Sequence, residues 1–329
     1  MLRFIVLSTL IALSYGLAVS FNEVKESFEQ FKGDYGVVYG DAKEEAQRLK
    51  IFAKNFAKIK AHNVRAVNGQ HSYRLGVNKF ADLTHDEFVA KHLGLKGVGP
   101  VYAPSVHEKV PKNKLPASVD WRDKGAVTGV KDQGDCGSSW AFSTVAAIEG
   151  ANFLKNGKLV SLSEQNLIDC DTNIDEGCVG GYMPNAYEYV ISNHGIDTEA
   201  AYPYVGYGLR CRFSAKKVGA TISSYANVTS GDEDALLSAV AQQPVSVSID
   251  ATPLLQYSSG IIDSDTECGS TYDMLNYGVT VVGYGTEGSK DYWIIKHSWG
   301  KSFGEKGYFR LQRGSNLCGI ATAASYPIV

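Results

Sequence analysis

QGDCGSSWAFS, residues 133–143, is the stretch of this sequence that decides the fold. Its first half contains glycines and Cys136, and apolar residues recur near helical spacing from Ser139 onward, at Trp140, Phe142, Val145, Ile148 and Phe153. Asn156-Gly157 supplies a C-terminal stop signal. The pattern predicts a helix that begins near Ser139 and ends near Gly157.

Segments downstream of this helix have the pattern of strands. Val245, Val247 and Ile249 alternate with serines, and three short β-rich runs bounded by glycine follow at residues 279–282, 292–295 and 308–311. Helices first and strands second indicate an α+β chain with a helical lobe and a β lobe. A cleft between two lobes is a common ligand site.

The composition excludes some functions and indicates a disulfide framework. The 32 basic and 35 acidic side chains nearly balance, so we expect no nucleic-acid partner and no membrane binding. The six cysteines all lie between Cys136 and Cys318, and the sequence alone leaves 15 pairings open. Because no close Cys-x-x-Cys pair occurs, we expect no zinc site. No cofactor is indicated.

The N-terminus has the features of a secretion signal. Arg3 precedes a short apolar run at residues 4–13, and small residues follow at Gly16 and Ala18. The run is too short for a bilayer, which needs about 20 residues. We expect residues 1–18 to be a signal peptide and the protein to be secreted, with endolysosomes or a gut lumen as alternatives. Asn227-Val228-Thr229 is a candidate glycosylation site.

Two further segments precede residue 115. Six residues at helical spacing form one stripe, which periodicity alone explains as a single amphipathic helix: Glu44, Arg48, Phe52, Asn55, Ile59 and Asn63. Residues 94–116 are rich in glycine and proline and are typical of an exposed connector. A Gly-x-Gly-x-x-Gly pattern at residues 283–288 precedes another strand and not a helix, so it predicts a hairpin turn.

Motifs along nearly the whole chain resemble the cathepsin L-like branch of the papain family of cysteine proteases. They are the stripe at 44–63 with Gly76, Asn78, Phe80 and Asp82, then LPASVDWR at 115–122, QGDCGSSWAFS at 133–143, LSEQ at 162–165, GCVGG at 177–181, SWG at 298–300, and the ending from Cys318 to Pro327. The resemblance implies an inhibitory propeptide at 19–114 and a mature two-lobe domain at 115–329, with a helical left lobe and a β-barrel-like right lobe.

The resemblance also implies pairings and cleft residues. The implied disulfides are Cys136–Cys178, Cys170–Cys211 and Cys268–Cys318. Gly180 and Gly181 match the backbone edge that pairs with an extended peptide. Met183 matches a wall of the specificity pocket, and Trp299, with Trp140, either lines the cleft or packs in the core.

At the family's catalytic positions this chain has other residues. Ser139 stands where the resemblance implies the cysteine nucleophile, Tyr277 where it implies the histidine base, and His297 where it implies the orienting asparagine. Gln133 matches the oxyanion donor. A serine hydroxyl needs a base during attack, and a phenol titrates near pH 10. A relay Ser139–Tyr277–His297 is the one conceivable proton path.

We therefore expect a secreted inactive homologue that binds peptides, protein substrates or protease inhibitors in its cleft without cleaving them. The alternative is an active peptidase that hydrolyses peptide bonds through Ser139. A structural protein that uses its surface hydroxyls is a third hypothesis. We expect a monomer whose cleft also binds its own propeptide.

Overall fold

The computed structural model describes residues 11–12, 18–264 and 266–329. The predicted signal peptide lies outside the described residues, apart from Ile11–Ala12 and Ala18. No helix in the described part of the chain is long and apolar enough to cross a membrane. The chain forms two compact units, residues 1–88 with 254–260 and residues 89–253 with 261–329.

The described residues form seven α-helices and fourteen strands. The helices are α1 Phe21–Tyr35, α2 Ala42–Val67, α3 His85–His92, α4 Ser139–Asn156, α5 Glu164–Cys170, α6 Met183–Ser192 and α7 Glu233–Val240. The strands are β1 Ile11–Ala12, β2 Ala18–Val19, β3 Tyr73–Leu75, β4 Ser105–Val106, β5 Val119–Asp120, β6 Ile196–Asp197, β7 Val218–Ala220, β8 Ser224–Asn227, β9 Val245–Ile249, β10 Tyr257–Ile262, β11 Tyr277–Glu287, β12 Lys290–Lys296, β13 Tyr308–Gln312 and β14 Ala323–Ile328.

The first unit is built on α1 and α2, each with a side-chain cap. Ser20 accepts a hydrogen bond from the N–H of Glu23, and Asp41 accepts from those of Lys43 and Glu44. The core between the helices is an aromatic cluster of Phe28, Phe31, Phe52 and Phe56, with ring centroids 5.2–6.2 Å apart. Burial of these rings stabilises the unit.

The polar residues of the predicted stripe on α2 bind the backbone of the segment that follows the helix. Arg48 donates to the carbonyl of Asp82, and Asn55 donates to the carbonyls of Ala81 and Leu83 at 2.9 and 2.8 Å. Asn63 exchanges two hydrogen bonds with the backbone of Leu75: its Nδ2 donates to the carbonyl at 2.8 Å, and its Oδ1 accepts from the N–H at 3.0 Å. The stripe therefore fixes residues 73–83 against α2.

The second unit is a sheet packed on a buried helix. Its strands follow the order β13-β12-β11-β9-β14-β8-β4, antiparallel except that β4 joins β8 in parallel. Every residue of α4 from Ser139 to Asn152 except Ala146 is buried, and the helix ends at Gly157, which has a φ of 71°. A left-handed residue at this position favours glycine. The predicted helix and the four predicted strands are thus confirmed.

Three disulfides close the loops of this unit. They are Cys136–Cys178, Cys170–Cys211 and Cys268–Cys318, the pairs that the family resemblance implies. Since the chain has six cysteines, none remains as a free thiol. The Gly-x-Gly-x-x-Gly segment lies in the hairpin between β11 and β12, as predicted.

We predict that Phe52→Ala destabilises the first unit by about 3–5 kcal/mol, because the truncation leaves a cavity inside the aromatic cluster. Denaturant unfolding of the full chain measures the change. Val67→Ala is the matched control, since Val67 is 74% exposed on the same helix and should change the free energy of unfolding by less than about 0.5 kcal/mol. Equal effects of the two substitutions would contradict the assignment of the core.

Candidate functional site

Ser139 is the first residue of α4, and its side chain faces β11. Its Oγ accepts a hydrogen bond from the backbone N–H of Gly278 at 3.1 Å, and the residue is fully buried. Among the hydrogen bonds of the described residues, no other reaches this oxygen. The position at a helix N-terminus favours negative charge. Ser139 therefore has an electrostatically favourable place but no side chain bound to it as a base.

Tyr277 is the centre of a buried hydrogen-bonded triangle with Gln133 and Ser298. The Tyr277 hydroxyl lies 2.9 Å from Ser298 Oγ and donates to Gln133 Oε1 at 3.2 Å. Ser298 Oγ donates to the same Gln133 oxygen at 2.6 Å. The backbone N–H of Ser298 donates to the Tyr277 hydroxyl at 3.2 Å. Each polar group of the triangle thus has a partner.

The protonation state of Tyr277 follows from its burial. Burial raises the pKa of the Tyr277 phenol far above its ordinary value, and the hydrogen bonds from Ser298 offset this only in part. The phenol therefore stays neutral at any physiological pH. It acts as a hydrogen-bond donor and acceptor, not as a base.

The triangle fixes the side-chain amide of Gln133. Because the two hydroxyls engage Oε1, the NH₂ group points away from them. It donates to the carbonyl of Cys136 at 2.8 Å and to that of His92 at 3.2 Å. A peptide carbonyl from the predicted propeptide therefore occupies the donor that the sequence predicts for an oxyanion.

His297 is bound to backbone groups through both ring nitrogens. Nδ1 accepts from the N–H of Trp299 at 3.0 Å, and Nε2 lies 3.3 Å from the carbonyl of Phe303. A carbonyl accepts only, so Nε2 carries the proton of the neutral ring. The hydrogen bonds of Tyr277 run to Gln133 and Ser298, so the conceivable relay Ser139–Tyr277–His297 is not formed.

A cavity of about 20 Å³ lies beside Gly278, His297 and Ser298, and it holds at most one water molecule. It is lined by Lys131, Phe142, Ser143, Ala146, Gly278, Val279, Thr280, Lys296, His297 and Ser298. No substrate fits there.

Residues 94–96 lie along the backbone edge that the sequence predicts for peptide binding. Lys96 donates to the carbonyl of Gly181 at 3.1 Å, and Gly181 donates to that of Gly94 at 3.3 Å. Leu95 donates to the carbonyl of Asn276 at 3.1 Å from the other side. The segment is thus bound on both sides in the manner of an extended peptide.

The prediction of an exposed connector is wrong for this part of residues 94–116. Gly94 is buried, and a Cβ placed on it would lie 2.0 Å from the carbonyl oxygen of Gly137. Glycine is present here because two backbones approach closely, whereas its frequency in turns suggested a loop. Farther along, β4 adds a strand to β8 and buries His107.

The other predicted cleft residues are buried in this precursor. Met183 is 1% exposed, and Trp299 is fully buried and stacks on Tyr277 with ring centroids 4.3 Å apart. Trp140 is also fully buried, so both tryptophans pack in the core. Gly180 has a φ of 143°, which glycine tolerates best. Asn227 donates from Nδ2 to the carbonyl of Val101 at 2.6 Å.

Residues 115–328 match the family model described as papain family cysteine protease. The chain belongs to this family. Residues 28–88 match the cathepsin propeptide inhibitor domain (I29), which covers the second half of α1 together with α2 and β3. The fold is therefore the papain-like α+β fold preceded by propeptide helices, as predicted.

Several relatives match this papain-family chain over nearly their full lengths. Cathepsin L of Sarcophaga peregrina is 45% identical over 99% of this chain and 98% of its own. Digestive cysteine proteinase 2 of Homarus americanus is 44% identical over 97% and 99%. A structure of digestive procathepsin L 3 from the larval midgut of Tenebrio molitor has a TM-score of 0.84 and 45% identity, covering 93% of this chain and 99% of that one.

These comparisons contradict the expectation of an inactive homologue. Relatives at this identity and coverage are named as cathepsin L, as a cathepsin L-like peptidase or as digestive cysteine proteinases. The expectation was drawn from three positions, Ser139, Tyr277 and His297, whereas the match extends over the whole chain. Peptidase function, the alternative from the sequence, fits the family better.

Sequence reasoning missed two members of the site, Ser298 and His92. Ser298 directly follows His297, and a hydroxyl beside a suspected site residue is the signal that was available. His92 contributes only its backbone carbonyl, which any residue type supplies. No pattern of side chains indicates such a contact.

We predict that Tyr277→Phe lowers the free energy of unfolding by about 1–3 kcal/mol, because it leaves the buried N–H of Ser298 without its acceptor. Denaturant unfolding of the precursor measures this effect. Tyr207→Phe is the control, since its side chain is 60% exposed and the substitution should be nearly neutral. Wild-type stability of Tyr277→Phe would show that the triangle contributes nothing.

We predict that Gly94→Ala displaces residues 94–96 from the backbone edge at Gly181. A methyl group 2.0 Å from the Gly137 oxygen forces the two backbones apart, and overpacking of this kind costs about 1–3 kcal/mol. Trypsin should then cut the precursor after Lys96 about tenfold faster. Gly99→Ala is the control, because the nearest atom to its Cβ is 4.0 Å away. Equal rates for both variants would contradict the close approach.

Proposed function

We propose that this chain is the precursor of a peptidase that hydrolyses peptide bonds in the cleft now filled by Gly94–Lys96. The observation that carries the proposal is the match to named peptidases over nearly the whole length of both chains. The backbone edge at Gly181 supports it, because an edge that binds a propeptide segment also suits an extended substrate.

The proposed precursor has three parts. Residues 1–18 direct export, residues 19–114 inhibit, and residues 115–329 form the mature domain. Removal of the inhibitory part requires a cut near Leu115, beside the exposed residues Lys112–Lys114. The digestive relatives favour a secreted protein that acts in a gut lumen or another acidic compartment, and Asn227 is the proposed glycosylation site.

The proposed chemistry starts when the propeptide leaves. Gln133 Nε2 then loses the carbonyl of His92 and becomes available to the carbonyl of a substrate. Together with the backbone N–H of Ser139, it would stabilise the oxyanion that forms when the Ser139 hydroxyl attacks. The triangle with Tyr277 and Ser298 keeps the amide in the donating orientation without reorganisation.

The proposed rate is low for this family. Neither Tyr277 nor His297 binds the Ser139 hydroxyl, so the proton of the nucleophile passes to water. The loss of a bound general base costs about 10²–10⁴ in rate. We therefore expect the natural protein to hydrolyse peptides through Ser139 more slowly than a relative with a bound base, by about this factor.

We predict measurable hydrolysis of a quenched peptide after an added protease has cut the precursor near Leu115. Ser139→Ala is the matched variant and should reduce the rate to the background, since it removes only the hydroxyl. The triple variant Ser139→Cys, Tyr277→His, His297→Asn should cleave several orders of magnitude faster, because it supplies a thiolate and a base.

The outcomes separate the possible failures. Hydrolysis by the natural protein that Ser139→Ala abolishes supports the proposal. Equal hydrolysis by Ser139→Ala would exclude Ser139 as the nucleophile. A silent natural protein beside an active triple variant would overturn the proposal while showing that the cleft itself is intact.

A further inference from the structure

Two buried carboxyl groups lie beside the cleft edge, and neither belongs to the site described so far. Asp171 follows the last residue of α5, and Asp175 lies four residues farther along the loop to Gly177. Asp171 is 5% exposed and Asp175 is 4% exposed. Disulfides at Cys170 and Cys178 hold both ends of this loop. The carboxyls therefore cannot easily turn out into water.

Asp175 supports the cleft edge directly. Its Oδ1 accepts hydrogen bonds from the N–H of Tyr182 and from Nδ2 of Asn185, each at 3.0 Å. A Cβ placed on Gly181 would lie 2.9 Å from Asp175 Cγ, so the carboxyl touches the glycine whose other side pairs with Gly94 and Lys96. A movement of Asp175 therefore moves the edge.

The second oxygen of each carboxyl, Oδ2 of Asp171 and Oδ2 of Asp175, is buried without a hydrogen-bond partner in the described protein. A buried carboxylate oxygen without a donor is costly. A proton between the two groups removes this cost, because one carboxyl then donates and the other accepts. The Asp171 and Asp175 carboxyls lie within hydrogen-bonding reach of each other, so the pair can hold one proton between them.

Among the described residues, no cation interacts with Asp171 or Asp175 in place of that proton. On α5, Asp169 adds a third acidic group, whose oxygens bind Gln165 and Tyr202 at 2.8 and 2.7 Å. On α6, the Tyr189 hydroxyl accepts from Asn166 at 3.1 Å. The nearby ion pair, Lys96 with Glu176 at 3.1 Å, is exposed on both sides.

Lys96 belongs to the propeptide and Glu176 already neutralises it. Burial, and next the charge of Asp175, raise the pKa of Asp171 to about 8, and burial also raises the pKa of Asp175. Both shifts agree with the geometry: two carboxyls, little water and no positive partner.

We propose that Asp171 and Asp175 are positioning residues that share one proton, and that this proton holds the edge at Gly181 in the form that binds an extended peptide. The proposal concerns peptide binding in the cleft and rests on the proposed function only for the identity of the ligand. Neither carboxyl touches the peptide, since both act through Gly181 and Tyr182.

The sign of the pH effect follows from the raised pKa. Below the ordinary aspartate pKa of about 3.9, the carboxyls are protonated whether the edge is closed or opened to water, and their stabilisation of the closed edge is fully present. As the pH rises towards the raised pKa of about 8, the Asp171 carboxyl ionises more readily when the edge at Gly181 has opened to water than when it is closed. The closed edge therefore loses stability. The edge should therefore bind peptide best at acid pH.

Amide hydrogen exchange in the full precursor tests this proposal. The reporters are the N–H groups of Lys96 and Gly181, which pair across the edge, and the reference is the N–H of Trp121, which donates to the carbonyl of Val282 at 3.0 Å. Protection factors, which already correct for the intrinsic rate, are compared at pH 5 and pH 9. We expect the reporters to lose tenfold or more of their protection relative to Trp121.

Asp175→Asn is the decisive variant. Asparagine keeps an oxygen for Tyr182 and Asn185 and supplies its own donor to Asp171, so the edge should hold its protection at both pH values. Asp171→Asn should also preserve the protection at both pH values, and it is the variant to measure if Asp175→Asn does not fold. Asp123→Asn removes an exposed carboxyl elsewhere and should behave like the natural protein.

Unchanged protection in the natural protein between pH 5 and pH 9 would overturn the proposal, and so would an equal loss of protection in Asp175→Asn or in Asp171→Asn. Exchange is measured without substrate. A failure of peptide hydrolysis therefore leaves this result untouched, and a failure here leaves the hydrolysis assay untouched.

Discussion

The close contact between the first turn of α4 and the start of β11 is the constraint on which the site depends. Gly278 makes this contact possible, because a Cβ there would lie 3.1–3.2 Å from Met183 Sδ, the Ser139 carbonyl and Trp140 Cα. The same glycine donates its N–H to Ser139 Oγ. Helix and strand are thereby held at one distance, and Ser139 and Tyr277 become neighbours whatever their chemistry.

Because the distance between helix and strand does not depend on the chemistry of Ser139 and Tyr277, the fold accommodates unusual residues at these positions. The Tyr277 ring stacks on Trp299, and its hydroxyl is fully hydrogen bonded by Gln133 and Ser298. His297 likewise satisfies both nitrogens with backbone groups. Tyr277 and His297 therefore fit the papain-like fold with the polar atoms of their side chains hydrogen bonded. Fold and chemistry are separate questions here.

The sequence predicted well those features that depend on periodicity or on family motifs. The α4 helix, strands β9 and β11–β13 and the hairpin at residues 283–288 follow from local patterns, which residues a few positions apart determine. The sequence predicted less well the hydrogen bonds that backbone groups form between distant segments. The pairing of Gly94 and Lys96 with Gly181, and the carbonyl of His92 on Gln133, involve main-chain atoms that every residue carries. The direction of the Tyr277 hydroxyl was also beyond prediction, because it depends on Ser298, a partner 21 residues away.

The parallel pairing of β4 with β8 has a consequence for the mature protein. Ser105–Val106 belongs to the part of the chain that conversion would remove, and it covers one side of residues 226–227. Unpaired N–H and C=O groups at the end of a sheet are a template for another strand. The proposed cleavage would therefore replace an intramolecular strand pair by an unpaired strand edge, where a second chain could add a strand that the uncleaved chain excludes.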